Sequence, residues 1–332
     1  MKPNELTPAE IINLWNSYIT NSMGIWVTRH FISNTQDESV KALLKQAEEI
    51  ALFENDTSKS FLEAAGQPLP QAFDQGDVSV NSPALYTDKF MLIIKYTLVQ
   101  AANVVYSFSL NTCTRQDIRQ FYEICLNRSA KLYNGFADLV VSMGLHHPEF
   151  RIPRPGHIEK VSTQSFLAGW FADRRPINAQ EIAILEFNFR STEVHKEFLK
   201  SFTQITPSKD MRKYFQRGVE LFQNHIELYQ KLFTDNDLPK LPTWESEILE
   251  TTNAPFSDRL MLYKCSLLSA AASGRYGIAL SSVLRKDLGA IHMRLMTETL
   301  LFAEDGANLM IEKGFLDQIP MAKENTAVPS SD

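Results

Sequence analysis

Cysteine is scarce in this chain: three residues in 332, Cys113, Cys125 and Cys265, an odd number with no CxxC pair. That excludes a disulfide framework and the usual cysteine-based metal knuckles. Cys265 leads an apolar run and reads as a small buried hydrophobe. Positive charge is not in excess either, with 33 Lys and Arg against 39 Asp and Glu, a net charge of −6. No basic run is available to neutralise phosphates, so nucleic-acid binding is not expected. No uninterrupted apolar stretch approaches the roughly 20 residues that span a bilayer. Met1–Glu5 lacks the apolar core of a signal peptide, and the expected compartment is the cytoplasm. Strand-like alternation is nearly missing, confined to Asp77-Val78-Ser79-Val80 in a connecting segment. Gly-x-Ser-x-Gly, Walker and dinucleotide motifs do not occur, which leaves those reaction classes without support.

What the chain does contain is a copy of itself. At an offset of 170, Ala84-Leu85-Tyr86-Thr87-Asp88 falls on Ala254-Pro255-Phe256-Ser257-Asp258. The register continues through Tyr106 on Tyr276, Arg115 and Asp117 on Arg285 and Asp287, and Gly144 on Gly314. Upstream the offset is 171, with Glu10-Ile11 on Glu181-Ile182 and Pro68 on Pro239. A composition of 44% hydrophobic residues provides material for two cores, as a chain of this length requires.

Each half shows four stretches of helical periodicity, near 7–35, 37–65, 84–112 and 115–144, then 178–205, 208–234, 255–283 and 285–313. Thr7-Pro8-Ala9-Glu10 is a capping box with proline at the first helical position. Asn178 with Glu181, Thr87, Ser208 and Ser257 supply further N-caps, and Gly66, Gly144 and Gly314 mark C-caps. Helices one and two are joined by a few residues, as are three and four, so each pair forms an antiparallel hairpin. The second connection is long in both halves, Gln67 to Tyr86 and Asp237 to Phe256. A structureless connector of that length is uncommon unless it crosses a whole bundle. Two hairpins and one crossover define the ferritin-like topology. The expected architecture is therefore all-α, two tandem ferritin-like four-helix bundles from an internal duplication. The divisions are 1–150, a linker at 151–177, 178–320, and a disordered tail at 321–332. Within the linker, Phe166–Phe171 is too apolar for a solvated tether and is expected to pack at the interface between the bundles.

Gln164-Ser165-Phe166-Leu167-Ala168-Gly169-Trp170-Phe171 followed by Arg175-Pro176-Ile177-Asn178-Ala179, together with Pro255-Phe256-Ser257-Asp258 and Ala303-Glu304-Asp305-Gly306-Ala307-Asn308, resembles an uncharacterised family of spore-forming bacteria, domain of unknown function 3231. Leu241-Pro242-Thr243-Trp244 and Leu6–Ile11 extend the likeness over essentially the whole chain. The resemblance implies tandem ferritin-like bundles and no established activity. It also implies a His-Ile-Glu on the second helix of each repeat; here His225-Ile226-Glu227 carries it and Glu54-Asn55-Asp56 replaces the first copy.

Di-metal ferritin-like centres use Glu-x-x-His, whose residues share one helix face. No Glu-x-x-His occurs; the chain has four His-x-Glu strings, at His147, His157, His195 and His225, and residues two apart diverge. The third helices contain no carboxylate after Asp88 and Asp258. One weaker set survives. Glu298 and Asp305 fall on the stripe Leu288, Ile291, Leu295, Glu298, Phe302, Asp305, Leu309, and His225 lies on the apolar side of its helix. His225, Glu298 and Asp305 could hold a single iron or manganese ion; the other reading is an ion pair between helices. The repeat favours the ion pair: Glu54 stands at the place of His225 and Arg128 at that of Glu298, and Arg is no metal ligand. No cofactor is then expected. Arg115-x-Asp117 and Arg285-x-Asp287, at the start of each fourth helix, are read as fixing the hairpin turn and capping that helix, and Tyr106 and Tyr276 as core residues whose hydroxyls need buried partners. The resulting expectation is a non-catalytic structural or interaction protein, by resemblance linked to sporulation or stress survival, acting on a protein partner or a second copy of itself. The alternatives are a one-metal protein and a carrier of a small apolar ligand near Tyr276.

Overall fold

Local capping signals determine where each helix begins. Thr7 and Asn178 close capping boxes with Glu10 and Glu181, and the hydroxyls of Thr87, Ser208 and Ser257 each accept the N–H three residues on. The structure, a computed structural model, describes residues 5–146, 150–170 and 174–321. It contains α1 (Pro8–Asn34), α2 (Glu38–Ala64), α3 (Asp88–Thr112), α4 (Gln116–Ser142), α5 (Ala179–Ile205), α6 (Lys209–Thr234), α7 (Asp258–Ser282) and α8 (Lys286–Glu312). Gly66, Gly144 and Gly314 all take φ of +66°, the left-handed conformation that ends a helix at little cost only for glycine. His147, Phe171 and all but the first residue of the expected tail lie outside the described residues.

The expected topology is present twice. In the first half the hairpins α1–α2 and α3–α4 pack side by side, α1 on α3 and α2 on α4. Asp88, at the start of α3, accepts the Gln36 and Asp37 N–H groups of the α1–α2 turn at 2.9 and 2.7 Å. Glu10, at the start of α1, accepts the Thr114 and Arg115 N–H groups of the α3–α4 turn, both at 2.8 Å. Since α2 ends where α1 begins, the connector to α3 must traverse the bundle. The second half repeats this with Thr206 to Asp258 at one end and Leu284 and Arg285 to Glu181 at the other.

The two crossovers are exchanged between the halves. Ser79 N–H donates to Pro255 O at 2.8 Å, and its counterpart Leu249 N–H donates to Leu85 O at 3.0 Å. Ser257 N–H reaches Asp77 O at 2.8 Å, and Thr87 N–H reaches Glu247 O at 3.1 Å. Every bond maps onto its partner by the same offset of 170, so the contact is isologous, as in a two-fold dimer. The bridges Val78 to Phe256 and Tyr86 to Ile248 record the same symmetry. Trp244 lies 6.4 Å from Phe90 on α3, and Phe73 lies 5.3 Å from Tyr263 on α7, so each connector sets an aromatic ring on the other half.

One apolar core therefore runs through both bundles. Phe31, Tyr86 and Phe90 of the first half join Phe198, Phe202 and Phe256 of the second in a single buried cluster. The Tyr86 ring meets Phe31, Phe90 and Phe198 edge-on at 5.9, 5.5 and 5.9 Å, and its hydroxyl pairs with Ser201 at 2.7 Å. Within the linker Arg175 lies 4.1 Å over the Phe166 ring, and Gly169 sits so close to Asp287 of the second half that a Cβ would meet it at 2.4 Å. Crossovers and helices join the halves. By length and composition α3 could cross a membrane, at mean hydropathy 1.2, but 44% of that window is buried within the protein.

Candidate functional site in the second bundle

α6 brings His225 inward and α8 brings Glu298 to it. His225 Nε2 and Glu298 Oε2 are 2.9 Å apart, and His225 Nδ1 is 3.2 Å from the Tyr276 hydroxyl of α7. Thr192 of α5 stands 3.3 Å from the same hydroxyl, so all four helices contribute to one polar chain. Burial lowers the His225 pKa below the ordinary histidine value even though Glu298 pulls it up. The neutral ring then satisfies every partner in one arrangement: Nε2–H donates to Glu298, Tyr276 O–H donates to Nδ1, and Thr192 O–H donates to Tyr276. His225 is 1% exposed and the Glu298 side chain 39%; the carboxylate keeps contact with water, and its other oxygen lies 3.5 Å from Arg294 Nε.

Asp305 is elsewhere. It pairs with Arg217 of α6 on the bundle surface, both side chains about half exposed. The buried seam of α8 runs Leu288, His292, Leu295, Thr299, Phe302, Gly306, Met310, which leaves Glu298 and Asp305 on its flank. Gly306 of α8 sits under the Tyr214 hydroxyl of α6, and the Tyr214 ring stacks on Phe302 at 4.4 Å. Among the described residues, no three His, Cys, Asp or Glu side chains come together as a metal set. Tyr276 is fully buried and hydrogen-bonded.

The first bundle answers with different chemistry. Tyr106 O–H donates to Glu54 Oε2, with Asn21 and the Cys125 thiol beside the carboxyl. Arg128 contributes only a distant attraction, because its guanidinium lies 4.1 Å over the Phe53 ring. The swapped ion pair expected there is thus a Tyr–Glu hydrogen bond with Arg128 stacked nearby. Burial pushes the Glu54 pKa up to about 7.

A second polar group was not anticipated. On α5, Glu193, His195, Lys196 and Glu197 are all buried. Their counterparts are Ser22, Gly24, Ile25 and Trp26, which are uncharged. Glu193 accepts the Trp244 N–H at 3.0 Å, the place where Ser22 accepts the Phe73 N–H at 2.9 Å, and so anchors its crossover. Lys196 bridges Glu193 and Glu197 at 3.3 and 2.9 Å. Lys95 of α3, bonded to Thr28, and Lys264 of α7, over the Phe198 ring, are also buried, and desolvation lowers their pKa values to about 8 and about 7, with Lys95 further lowering Lys264. Charges in mid-helix ordinarily indicate a solvated face; only comparison with the uncharged first copy could have singled these out.

At the turn between α7 and α8, Arg285 holds Asp287 through Nε and Nη2 at 3.1 and 2.6 Å. Arg115 holds Asp117 at the same two distances. The Arg115–Asp117 pair is solvent-facing; the Arg285–Asp287 pair is buried because the linker covers it and Arg175 O accepts from Arg285 at 3.0 Å.

Family models match residues 1–153 and 165–328, one for each half, under the description Protein of unknown function (DUF3231). The chain belongs to this family. In DUF3231 terms the crossover exchange joins one family domain to the other. Among curated proteins, none is detectably similar. A crystal structure provisionally titled as a spore coat protein, from Bacillus halodurans C-125, is similar at 22% identity and a TM-score of 0.38, over 46% of this chain and 96% of that one.

Proposed function

We propose that this DUF3231 protein is a non-catalytic structural or interaction protein, and that His225, Tyr276 and Glu298 are a packing element of its second bundle. The observation that carries this reading is the occupancy of both His225 ring nitrogens, one by a carboxylate and one by a hydroxyl. A metal on Nε2 would have to separate His225 from Glu298 or recruit further ligands, and Asp305 is committed to Arg217. The repeat adds support: at the same place the first bundle uses a tyrosine and a carboxyl group whose raised pKa favours the neutral form. A role in sporulation or stress survival rests on the family resemblance alone.

Elemental analysis of protein purified without chelators tests the proposal. Iron and manganese are expected well below one equivalent per chain. His225→Ala is expected to lose about 3 kcal/mol in urea unfolding, from the cavity and the stranded Tyr276 hydroxyl. One equivalent of either metal, lost in His225→Ala, would replace this reading with the one-metal alternative.

A further inference from the structure

Where α3 of the first half meets α5 of the second there is a half-open cleft of about 220 Å3. Tyr96, Ala183, Glu186, Phe187, Arg190 and Trp244 are among the residues that line it. The two-fold relation supplies an internal control. At the symmetry-related place Ala183 is replaced by Ile12, Glu186 by Trp15, Arg190 by Ile19 and Tyr96 by Ser266. Trp15 and Ile19 are buried there. Where the first copy carries the large apolar residues Ile12, Trp15 and Ile19, the lining of this cleft carries a small residue, Ala183, and the polar Glu186 and Arg190.

We propose that this cleft is a binding site for a small uncharged ring compound bearing a carbonyl-type oxygen. Three observations define that class. The volume exceeds the roughly 150 Å3 of an apolar cavity known to admit benzene, so a ring with one substituent fits. Tyr96, Phe187 and Trp244 provide aromatic wall, and Tyr96 is held by stacking on Tyr133 at 5.2 Å with the hydroxyls 3.0 Å apart. Arg190 is already neutralised by Glu186, so a charged ligand would bring an unpaired charge into a partly dry site. Yet Arg190 Nε is buried without a hydrogen-bond partner. A carbonyl or amide oxygen would satisfy that donor without disturbing the ion pair. The site spans both halves, so its ligand would bind across the two-fold junction.

The test is a ligand-observed NMR titration of the full chain with benzamide, benzoate and toluene. Benzamide is expected to bind with a Kd on the order of 1 mM, as suits so few atoms, with benzoate and toluene each at least tenfold weaker. Ala183→Ile, which copies Ile12 of the first half, is expected to weaken benzamide binding at least tenfold. Arg190→Leu is expected to abolish the preference for benzamide over toluene. Far-UV circular dichroism establishes that both variants are folded, and the three-probe comparison on the unmodified chain stands independently of them. Unsaturable binding of all three probes, tighter binding of benzoate, or undiminished binding by Ala183→Ile would overturn the proposal.

Discussion

Glu181→Ala is expected to cost about 4 kcal/mol, because it breaks a buried charge pair from one side. The Glu181 carboxylate is fully buried and receives Arg175 through both terminal nitrogens at 2.8 and 2.9 Å. It also accepts the backbone N–H groups of Asn178, Leu284 and Arg285, tying together the linker, the start of α5 and the α7–α8 turn. Removing it leaves the Arg175 guanidinium without its carboxylate and three amides unpaired. Glu10 occupies the same place in the first bundle and accepts Thr7, Thr114 and Arg115 N–H groups, with no arginine side chain on it. Glu10→Ala is therefore expected to cost only about 2 kcal/mol. Burial alone would raise the Glu181 pKa, but Arg175 and the backbone donors outweigh it and hold the value below the ordinary carboxylate range. The stabilisation is then complete above about pH 4.5 and is lost as pH falls through the lowered value. Urea unfolding of both variants at pH 7 and pH 3 checks this. Equal losses for the two, or a Glu181→Ala loss that grows on acidification, would contradict it.

Glu54→Gln should act in the opposite direction. Burial raises the Glu54 pKa to about 7, while the Tyr106 hydroxyl, Cys125, Asn21 and the more distant Arg128 offset the penalty only in part. A raised folded-state value means the neutral carboxyl is favoured by folding: its stability is fully present below about pH 4.5 and is lost as pH rises through 7. Between those limits the loss is on the order of 3 kcal/mol. Glutamine keeps the shape and the oxygen that accepts from Tyr106 but cannot ionise. Unfolding midpoints should therefore be close to those of the parent at pH 5 and clearly higher at pH 8. A variant equally destabilised at both pH values would show that Glu54 is ionised and paired in the folded state.

Much of this fold is legible in the sequence because its signals are local or duplicated. Capping boxes at Thr7 and Asn178 and glycines at three C-caps depend on neighbours within a turn, and the long connectors imply a crossover by length alone. His225 with Glu298 could be found because both interrupt apolar stripes in the second copy. Asp305 was misplaced for a specific reason. The stripe read through Ile291, Glu298 and Asp305 lies one residue off the buried seam, which keeps the same seven-residue spacing. The real seam passes through His292, Thr299 and Gly306, which no hydrophobicity pattern marks. The exchange of crossovers was hidden because backbone bonds such as Ser79 to Pro255 carry no side-chain signature. The strand-like Asp77–Val80 stretch was their only trace. Buried Glu193, Lys196 and Glu197 were hidden because charged residues on a helix signal burial only when the surrounding elements are known.

The central claim is that the duplication yields one body with two-fold internal symmetry, its core continuous from Phe31 to Phe256. Differential scanning calorimetry of the full chain tests it directly. A shared core and reciprocal crossovers predict one transition whose calorimetric and van't Hoff enthalpies agree. Glu10→Ala in the first half and Glu181→Ala in the second should each move that whole transition. Two resolved transitions, one shifted by Glu10→Ala and the other by Glu181→Ala, would show independent bundles and contradict the account.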